Sequence, residues 1–351
     1  MASLFLRESV AGLSPYVPGL QRAGVLKLNT NENPYPPPAA VAEALAAFDA
    51  GSLQLYPEPS CDTLREALAA HFGCAKENVF AANGSDEILR LAVQAFTPAA
   101  HPAAGAFHPT YSLYPVLARA VSVPWKSWKL ADDGSYGWPE EMPGLEETGL
   151  FLLANPNAPT GTLASLDEVA RLAGRVPGVL LVDEAYIDFA GPGATALALA
   201  LSRKNVIVTR TFSKAGALAG ARLGIAVGDP ELIAGFMRLK DSYNVNRLTQ
   251  VLALAELSAW SEVRATAGKI ATTRDETAAA LAAKGWEVTK SRANFLWAKP
   301  PAGQTAQGVY DVLAAKEILV RHFPDDPSTS GFLRISIGKA EDMERFLAAL
   351  P

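Results

Sequence analysis

The sequence contains few of the residues that build metal sites and disulfides. Of its 351 residues, only two are cysteines and four are histidines. They are Cys61, Cys74, His71, His101, His108 and His322. Two cysteines cannot form a disulfide framework, and the scattered histidines lack the spacing of a metal-ligand set. We therefore expect no metal site, and any catalysis must use carboxylates, lysine, arginine, tyrosine or a bound cofactor.

Excess positive charge and long apolar runs are also lacking. Lys and Arg number 31 against 36 Asp and Glu, which argues against binding to nucleic acid or to an anionic membrane. The first eight residues are too short an apolar run for a secretory signal, and no run approaches the roughly 18 residues of a membrane helix. We expect a cytoplasmic protein. The length predicts two domains, or one large domain with an appendage, and the 49% hydrophobic content indicates a folded chain with a sizeable core.

The apolar pattern predicts an α/β fold with a mostly parallel sheet flanked by helices. Residues 79–82, 150–153, 179–182 and 206–209 are apolar throughout, as is typical of strands buried on both faces. A helix with a capping-box start at Ser165 lies between two of them. Strand and helix segments that alternate in this way favour an α/β sandwich.

The chain divides into three predicted parts. Residues 1–38 are rich in proline and read as an irregular N-terminal arm. Residues 39–248 carry the strands of the predicted sheet and form a large domain. Residues 249–351 alternate helices with short strands, which predicts a smaller α+β domain.

Polar segments follow four of the predicted strands. They are Asn83-Gly84-Ser85-Asp86, Asn155-Pro156-Asn157-Ala158-Pro159-Thr160-Gly161, Asp183-Glu184-Ala185-Tyr186 and Thr211-Phe212-Ser213-Lys214. Ligands of parallel α/β sheets bind outside the carboxyl ends of the strands, so these segments are expected to share one rim.

Each candidate residue at that rim has a functional and a structural interpretation. Gly84, Ser85 and Asp86 either bind an anion at a helix N-terminus or simply cap that helix. Asp183 either partners a protonated ring nitrogen or caps the next helix. Lys214 is either a nucleophilic amine, with Arg222 as a nearby cation or phosphate ligand, or a solvated surface group.

Arginines and tyrosines elsewhere are further candidates. Arg321 and Arg334 stand beside apolar strand residues, where each either binds an anion or forms a structural ion pair. Tyr56 and Tyr111 are loop aromatics that either contact a ligand or pack.

The order and spacing of these motifs resemble those of fold-type I pyridoxal-phosphate aminotransferases. Asn-Pro-Asn-x-Pro-Thr-Gly, Asp-Glu-Ala-Tyr and Ser-Lys with a following Arg occur in the family's order. The finer resemblance is to histidinol-phosphate aminotransferases, and it is carried by residues 28–34, 83–87, 183–189 and 243–246. It spans nearly the whole chain and implies transamination of histidinol phosphate with 2-oxoglutarate, giving imidazole acetol phosphate and glutamate in histidine biosynthesis.

The resemblance also implies roles for individual residues. Lys214 forms the internal aldimine with pyridoxal 5'-phosphate and shuttles the proton, Asp183 keeps the pyridine nitrogen protonated, and Tyr186 bonds the ring hydroxyl. Tyr111 stacks on the ring. Groups implied to hold the phosphate are Gly84, Ser85, Asp86, Ser213, Arg222 and, from the neighbouring subunit of a homodimer, Tyr56. Arg334 binds the carboxylate of the substrate. The residues implied to surround the distal group of the substrate are Tyr16, Tyr243 and Arg321.

One position departs from the family pattern. Ala158 stands where the family has an asparagine that donates to the ring hydroxyl. Asn157, one residue earlier, is a candidate substitute, although such an offset normally turns a side chain elsewhere, and Tyr186 alone is the other option. Related activities therefore stay open: an aromatic amino-acid aminotransferase or a threonine-phosphate decarboxylase. A nicotinamide dehydrogenase is disfavoured because no Gly-x-Gly-x-x-Gly follows a strand.

Overall fold

The structure is a computed structural model that describes residues 5–13, 20 and 22–351. Tyr16 lies outside the described residues. The described helices are α1 (Glu8–Ala11), α2 (Ala39–Ala46), α3 (Asp62–Phe72), α4 (Ser85–Ala95), α5 (Leu113–Ala120), α6 (Leu166–Arg175), α7 (Leu197–Ser202), α8 (Pro230–Leu239), α9 (Arg247–Ser258), α10 (Trp260–Ala283), α11 (Ala306–Ala315) and α12 (Ala340–Ala349). The strands are β1 (Leu26–Lys27), β2 (Val79–Asn83), β3 (Ala103–His108), β4 (Trp125–Lys129), β5 (Thr148–Ala154), β6 (Val179–Asp183), β7 (Val206–Thr211), β8 (Leu223–Gly228), β9 (Glu287–Val288), β10 (Phe295–Lys299), β11 (Ile318–Leu319), β12 (Arg321–His322) and β13 (Leu333–Ser336).

A seven-stranded sheet forms the centre of the larger part of the molecule. Its strand order is β2-β8-β7-β6-β5-β3-β4, and β8 runs antiparallel to both of its neighbours. The pairs among β3, β4, β5, β6 and β7 are parallel. The predicted mostly parallel α/β sheet is therefore confirmed.

The central strands are covered on both faces. Every residue of β5, β6 and β8 is buried. One apolar cluster contains Ile88, Leu150 and Phe236, while another contains Phe151, Leu172 and Val208. Side chains of β5 thus point alternately into two cores, which is why the strand is apolar throughout instead of alternating.

Two helix ends show local capping, and the first of them, at Ser165, is predicted from the sequence. Ser165 Oγ accepts from the backbone N–H of Glu168, and the Glu168 carboxylate accepts from Ser165 N–H, so α6 begins with a complete capping box. Gly73 ends α3 at φ +68°, a left-handed conformation that glycine adopts without steric cost.

The smaller part contains a four-stranded antiparallel sheet in the order β12-β13-β10-β9. Helices α10, α11 and α12 pack on it around a core that includes Ile270, Leu313 and Phe346. β1, from the arm, pairs in parallel with β11. The predicted boundary at 248/249 falls inside α9, whose Leu252 and Ala253 pack in the cluster with Leu64 and Phe212. The domain limits themselves stay a prediction.

Among the described residues, no helix is both long and apolar enough to cross a membrane.

Candidate active site

The carboxyl ends of the sheet strands meet at one rim, as the strand register shows. Ala154 of β5 pairs with Asp183 of β6, and Asp183 pairs with Thr209 of β7. Because β8 runs the other way, its start lies at the same edge, where Leu223 pairs with Asn83. A cleft of about 690 Å³ opens there between the two parts of the molecule. The predicted site residues that line it are Ser85, Asp86, Tyr111, Asp183, Tyr186, Ser213, Lys214, Arg222, Arg321 and Arg334.

One end of the cleft is built to receive an anion. Gly84 is the N-cap of α4, at φ +80°, and the first N–H groups of the helix, from Ser85 and Asp86, have no partner inside it. A Cβ on Gly84 would lie 2.6 Å from Nη2 of Arg222 and would displace that guanidinium, and the φ of +80° itself favours glycine. A Cβ on Gly224 would lie 2.3 Å from the backbone nitrogen of Ser85. Glycine at this position therefore lets β8 approach the start of α4 closely. Helix dipole and cation thus converge at this point.

Arg222 is held toward this end by local contacts. It has φ +57° directly before β8. Its Nη2 lies 3.4 Å from Oδ2 of Asp86, and its Nη1 lies 3.5 Å from the buried Ser213 hydroxyl. The side chain is nearly half exposed, so an anion can reach the guanidinium.

Asp183 ends β6 as a buried carboxylate. Its Oδ2 accepts from the Tyr114 hydroxyl at 2.8 Å and its Oδ1 accepts from the Ala185 N–H at 3.2 Å. Burial raises the pKa of Asp183 to about 6, although the two donors oppose this shift. The carboxylate is therefore ionised near neutral pH and suited to hold a positive group in the cleft.

Lys214 lies in the connection between β7 and β8. Its Nζ donates to the backbone oxygen of Thr30 at 3.2 Å and lies 5.9 Å from the centre of the Tyr186 ring. Burial, and next the positive charge of Arg334, lower the pKa of Lys214 to about 8. A lysine with such a pKa has a substantial neutral fraction in mildly alkaline solution, which a nucleophilic amine requires.

Tyr186 and Tyr111 border the same space. The Tyr186 hydroxyl accepts from Nδ2 of Asn31 at 3.0 Å, and burial raises the pKa of Tyr186, so its phenol is neutral. The Tyr111 hydroxyl lies 3.5 Å from Oδ1 of Asp86, and its ring packs edge-on against Tyr114.

The smaller part contributes two arginines to the opposite wall. Arg334 of β13 donates to the backbone oxygen of Asn29 at 3.0 Å, and its guanidinium carbon lies 5.5 Å from the centre of the Phe295 ring. Arg321 of β12 lies 5.2 Å from the centre of the Phe323 ring. Both are partly buried and face the cleft, where they can bind carboxylate or phosphate groups.

The structure places one predicted cofactor ligand outside the cleft. Nδ2 of Asn157 donates to the oxygens of Pro109 and Thr160, and its Oδ1 accepts from Thr110. The amide is thus satisfied by Thr160 of its own loop and by the neighbouring segment after β3, and it faces away from the cleft, as the one-residue offset predicts. Ala158 lines the cleft in its place and packs beside Phe295. The geometry therefore argues against Asn157 as a cofactor ligand.

Two predicted tyrosines lie away from the cleft of their own chain. The rings of Tyr56 and Tyr243 stack with centroids 4.3 Å apart, and they are 75% and 42% exposed. Neither lines the cleft that holds Lys214.

The sequence interpretation missed several residues of the site. Tyr114 stands three positions after Tyr111, at helical spacing, and this signal was available for its contact with Asp183. His108 ends β3 and places Nε2 2.9 Å from Oδ2 of Asp326, which joins the two parts at the cleft mouth. Asn31 lies within residues 28–34, which carry the family resemblance, but the sequence assigns it no role. Its contact with Tyr186 spans 155 positions and has no local signal.

Known proteins were compared with the chain as a whole. The family model described as aminotransferase class I and II matches residues 23–350. The histidinol-phosphate aminotransferase of Geotalea daltonii is 41% identical, over 98% of this chain and 98% of that protein. The histidinol-phosphate aminotransferase of Chromohalobacter salexigens is 42% identical, over 99% and 98%.

A solved structure agrees with these sequence comparisons. The crystal structure of histidinol-phosphate aminotransferase from Sinorhizobium meliloti, in complex with pyridoxal-5'-phosphate, is 25% identical and superimposes with a TM-score of 0.87. The superposition covers 100% of this chain and 97% of that one. On sequence, fold and the arrangement of the cleft, the chain belongs to the class I and II aminotransferases.

Proposed function

We propose that the protein is a pyridoxal-phosphate-dependent aminotransferase that transfers the amino group of histidinol phosphate to 2-oxoglutarate. The observation that carries the proposal is that one cleft contains Lys214, Asp183 and the start of α4, faced by two arginines. The similarity to histidinol-phosphate aminotransferases over nearly the full chain supports the donor. The expected cytoplasmic location accords with a biosynthetic role and stays a prediction.

The residues present fit the phosphate of this cofactor. A phosphate needs several donors and a compensating charge, which the N–H groups of Ser85 and Asp86, the Ser213 hydroxyl and Arg222 can supply. Gly84 leaves room beside the guanidinium that any larger residue would fill. The carboxylate of Asp86 next to Arg222 keeps that side chain aimed at the site.

The residues also fit the ring. Asp183 offers a buried negative charge to a protonated ring nitrogen, and Tyr186 offers a phenol proton to a ring oxygen. Tyr111 borders the same space with an aromatic face. When bound, pyridoxal phosphate supplies an electron sink for the carbanion character that develops at the amino-bearing carbon.

Lys214 is the group that moves a proton. A lysine with a pKa of about 8 can give up and take back a proton near physiological pH, whereas an ordinary lysine stays charged. Its position beside the Thr30 carbonyl orients the amine, and partial burial limits the water around it. Replacement of Lys214 with Ala is expected to stop turnover while cofactor binding remains.

Two anionic substrates must use the cleft in turn. Histidinol phosphate carries a phosphate, and 2-oxoglutarate carries two carboxylates. Arg334 and Arg321 face the cleft from the smaller part and can pair with either kind of anion. We propose that Arg334 binds the carboxylate of the keto acid and that Arg321 helps to bind the distal anion.

We further propose that the active enzyme is a homodimer with shared sites. Tyr56 is 75% exposed, with Leu53 and Leu55 exposed nearby, so this segment presents apolar surface to a partner. A second copy of the chain is the proposed occupant, and its Tyr56 reaches the phosphate end of the cleft. The stacked Tyr243 belongs to the same surface and is proposed to contact substrate across the interface.

A mixing experiment tests the shared sites. A dimer of one Lys214→Ala chain and one Tyr56→Phe chain has one intact site, because the Lys214→Ala chain supplies Tyr56 to the site that keeps its lysine. Each variant alone is expected to be poorly active. Refolding the two together should restore activity, and each mixed dimer should have the activity of one intact site. Sites made within a single chain would give no gain over the average of the separate variants.

Half-reaction rates with three amino donors test the substrate. With the cofactor-loaded protein and no keto acid present, histidinol phosphate should convert the bound cofactor to its amino form at least tenfold faster than phenylalanine or threonine phosphate. Phenylalanine as the best donor would indicate an aromatic aminotransferase. Release of carbon dioxide from threonine phosphate would indicate a decarboxylase. A protein that takes up no pyridoxal phosphate would refute the whole proposal.

A further inference from the structure

Asn31 has an uncommon backbone conformation at the junction of the two parts of the molecule. It is buried and has φ +55°, in the left-handed region that asparagine tolerates better than most residues. Its segment runs beside β13, where Ser336 N–H donates to the oxygen of Leu28. The side chain reaches the other way, toward Tyr186 of the larger part.

Four hydrogen bonds fix this residue. The Asn31 backbone N–H donates to Ser336 Oγ at 2.9 Å, and Ser336 Oγ donates to Asn31 Oδ1 at 2.8 Å. The Asn31 backbone oxygen accepts from Nδ2 of Asn294 at 3.0 Å. Its Nδ2 donates to the Tyr186 hydroxyl at 3.0 Å. Both the backbone and the amide are therefore held in one position.

Ser336 decides which way the amide faces. Its hydroxyl has a single proton, and it already accepts from the Asn31 backbone, so it donates to the amide oxygen. The amide nitrogen must then face Tyr186. In the reverse orientation the amide oxygen would accept a hydrogen bond from the phenol O–H, whereas in the observed orientation the amide nitrogen donates one to the phenol oxygen.

The orientation has a consequence for Tyr186. Its oxygen accepts a hydrogen bond from the Asn31 amide, so its own O–H can donate to another acceptor in the cleft. A phenol that accepts one hydrogen bond is also a better donor of the next. Ala158, which packs beside the same ring, offers no polar group there, so the amide that supports this phenol comes from Asn31.

We propose that Asn31 is a positioning residue that directs the Tyr186 proton to the ring oxygen of the cofactor, with Ser336 fixing its orientation. The inference rests on the proposed function. Asn31 acts only through Tyr186, and because Ser336 lies on β13, the placement of the smaller part determines the hydrogen bonding of the phenol.

The pH dependence of the visible absorbance of bound pyridoxal phosphate tests the inference. A donor to the ring oxygen stabilises its negative charge, so weakening that donor should raise the pH midpoint of the spectral change. Asn31→Gly removes the amide but keeps the positive φ without strain, and should raise the midpoint by about 0.5–1 pH unit. Asn31→Asp places an acceptor against the phenol and should raise it further. Ser336→Ala frees the amide to turn and should give a smaller rise.

The control variants separate a role through Tyr186 from general disturbance. In a Tyr186→Phe background, Asn31→Gly should cause no additional shift, because the group that it positions is absent. Asn205→Ala removes an amide that donates to the carbonyls of Ala173 and Gly178, at the other end of β7, and should leave the midpoint unchanged.

Two results would overturn the inference. One is an unchanged midpoint in cofactor-loaded Asn31→Gly and Asn31→Asp, and the other is a shift of equal size in the Tyr186→Phe background. A protein that develops no visible absorbance with pyridoxal phosphate would instead overturn the proposed function, and this inference with it.

Discussion

Two buried carboxyl groups lie close to the segment that carries Lys214, and their surroundings differ. Asp183 faces the cleft and accepts hydrogen bonds from Tyr114 and Ala185. Glu256 of α9 is completely buried against Gly216, and neither of its carboxyl oxygens has a hydrogen-bond partner among the described residues. Burial raises the pKa of Asp183 to about 6 and that of Glu256 to about 9.

The difference shows what hydrogen-bond donors do for a buried acid. Both groups lose hydration, which favours the neutral form. Two donors keep the pKa of Asp183 at about 6, so the carboxylate is ionised at neutral pH and can serve as a charge. Without donors, Glu256 stays protonated and serves as a neutral, bulky polar group packed against Gly216, two residues after Lys214.

The largest expected effect comes from removing the charge of Asp183. Asp183→Asn keeps the size of the side chain and a hydrogen bond from Tyr114, but it leaves no negative charge for a ring nitrogen. We expect kcat/KM to fall by about 10²–10⁴-fold, with pyridoxal phosphate still bound. Asp132→Asn, at an exposed aspartate paired with Lys129, is the control and should have no effect. Full activity in Asp183→Asn would show that the negative charge of Asp183 is not needed for catalysis.

The next effect comes from crowding Glu256. A Cβ at Gly216 would lie 2.0 Å from Oε1 of Glu256 and 2.8 Å from the oxygen of Phe212. Gly216→Ala should therefore lower the free energy of unfolding by about 2–3 kcal/mol, as measured by urea denaturation. Gly268→Ala, in an exposed turn of α10 with nothing within 4 Å, should be neutral or slightly stabilising. Equal stabilities for the two variants would show that the Gly216 site has room to relax.

A third effect concerns the pH dependence of stability. The folded-state pKa of Glu256 lies above its unfolded value of 4.5, so its contribution is fully present below pH 4.5 and is lost as pH rises toward about 9. Glu256→Gln removes this titration. Between pH 5 and pH 8 the unfolding free energy of the variant, measured by urea denaturation at each pH, should therefore rise by about 4 kcal/mol relative to that of the parent. Parallel stability curves would mean that Glu256 ionises normally.

The smallest effect is on the pH dependence of cofactor uptake, on its acid side. Tyr114 lowers the pKa of Asp183 by donating to its carboxylate. Tyr114→Phe should therefore raise the midpoint of the acid limb from near pH 6 by about 0.5–1 unit. Stopped-flow measurement of pyridoxal phosphate uptake against pH reports it. An unchanged midpoint would show that ionisation of Asp183 does not control the uptake of pyridoxal phosphate at low pH.

The sequence predicts well those parts of the molecule whose signal is local. Residues 150–153, 179–182 and 206–208 are uniformly apolar and form central strands. The capping box at Ser165 marks the start of a helix correctly. Each of these signals depends on neighbours within a few positions.

Strands with few large apolar side chains escaped prediction. β3 reads Ala-Ala-Gly-Ala-Phe-His and β8 reads Leu-Gly-Ile-Ala-Val-Gly, so glycine and alanine interrupt the large apolar side chains in both strands. Their small residues are there for tertiary reasons, such as the close approach of Gly224 to the helix start at Ser85. In the site, the residues of the polar turns were found, whereas Asn31 and Asp326 were not assigned because their partners are distant in sequence.

The reversal of β8 has a consequence for how the chain can vary in length. Because β8 runs back along β7, residues 212–222 form one tight connection that holds both Lys214 and Arg222. The spacing between amine and guanidinium is thus set by the length of a single hairpin, whereas the other groups at the rim come from separate crossovers. An inserted residue in this hairpin changes the distance between the reacting end and the anion-binding end. Insertions in the crossover loops on the opposite edge leave that distance unchanged.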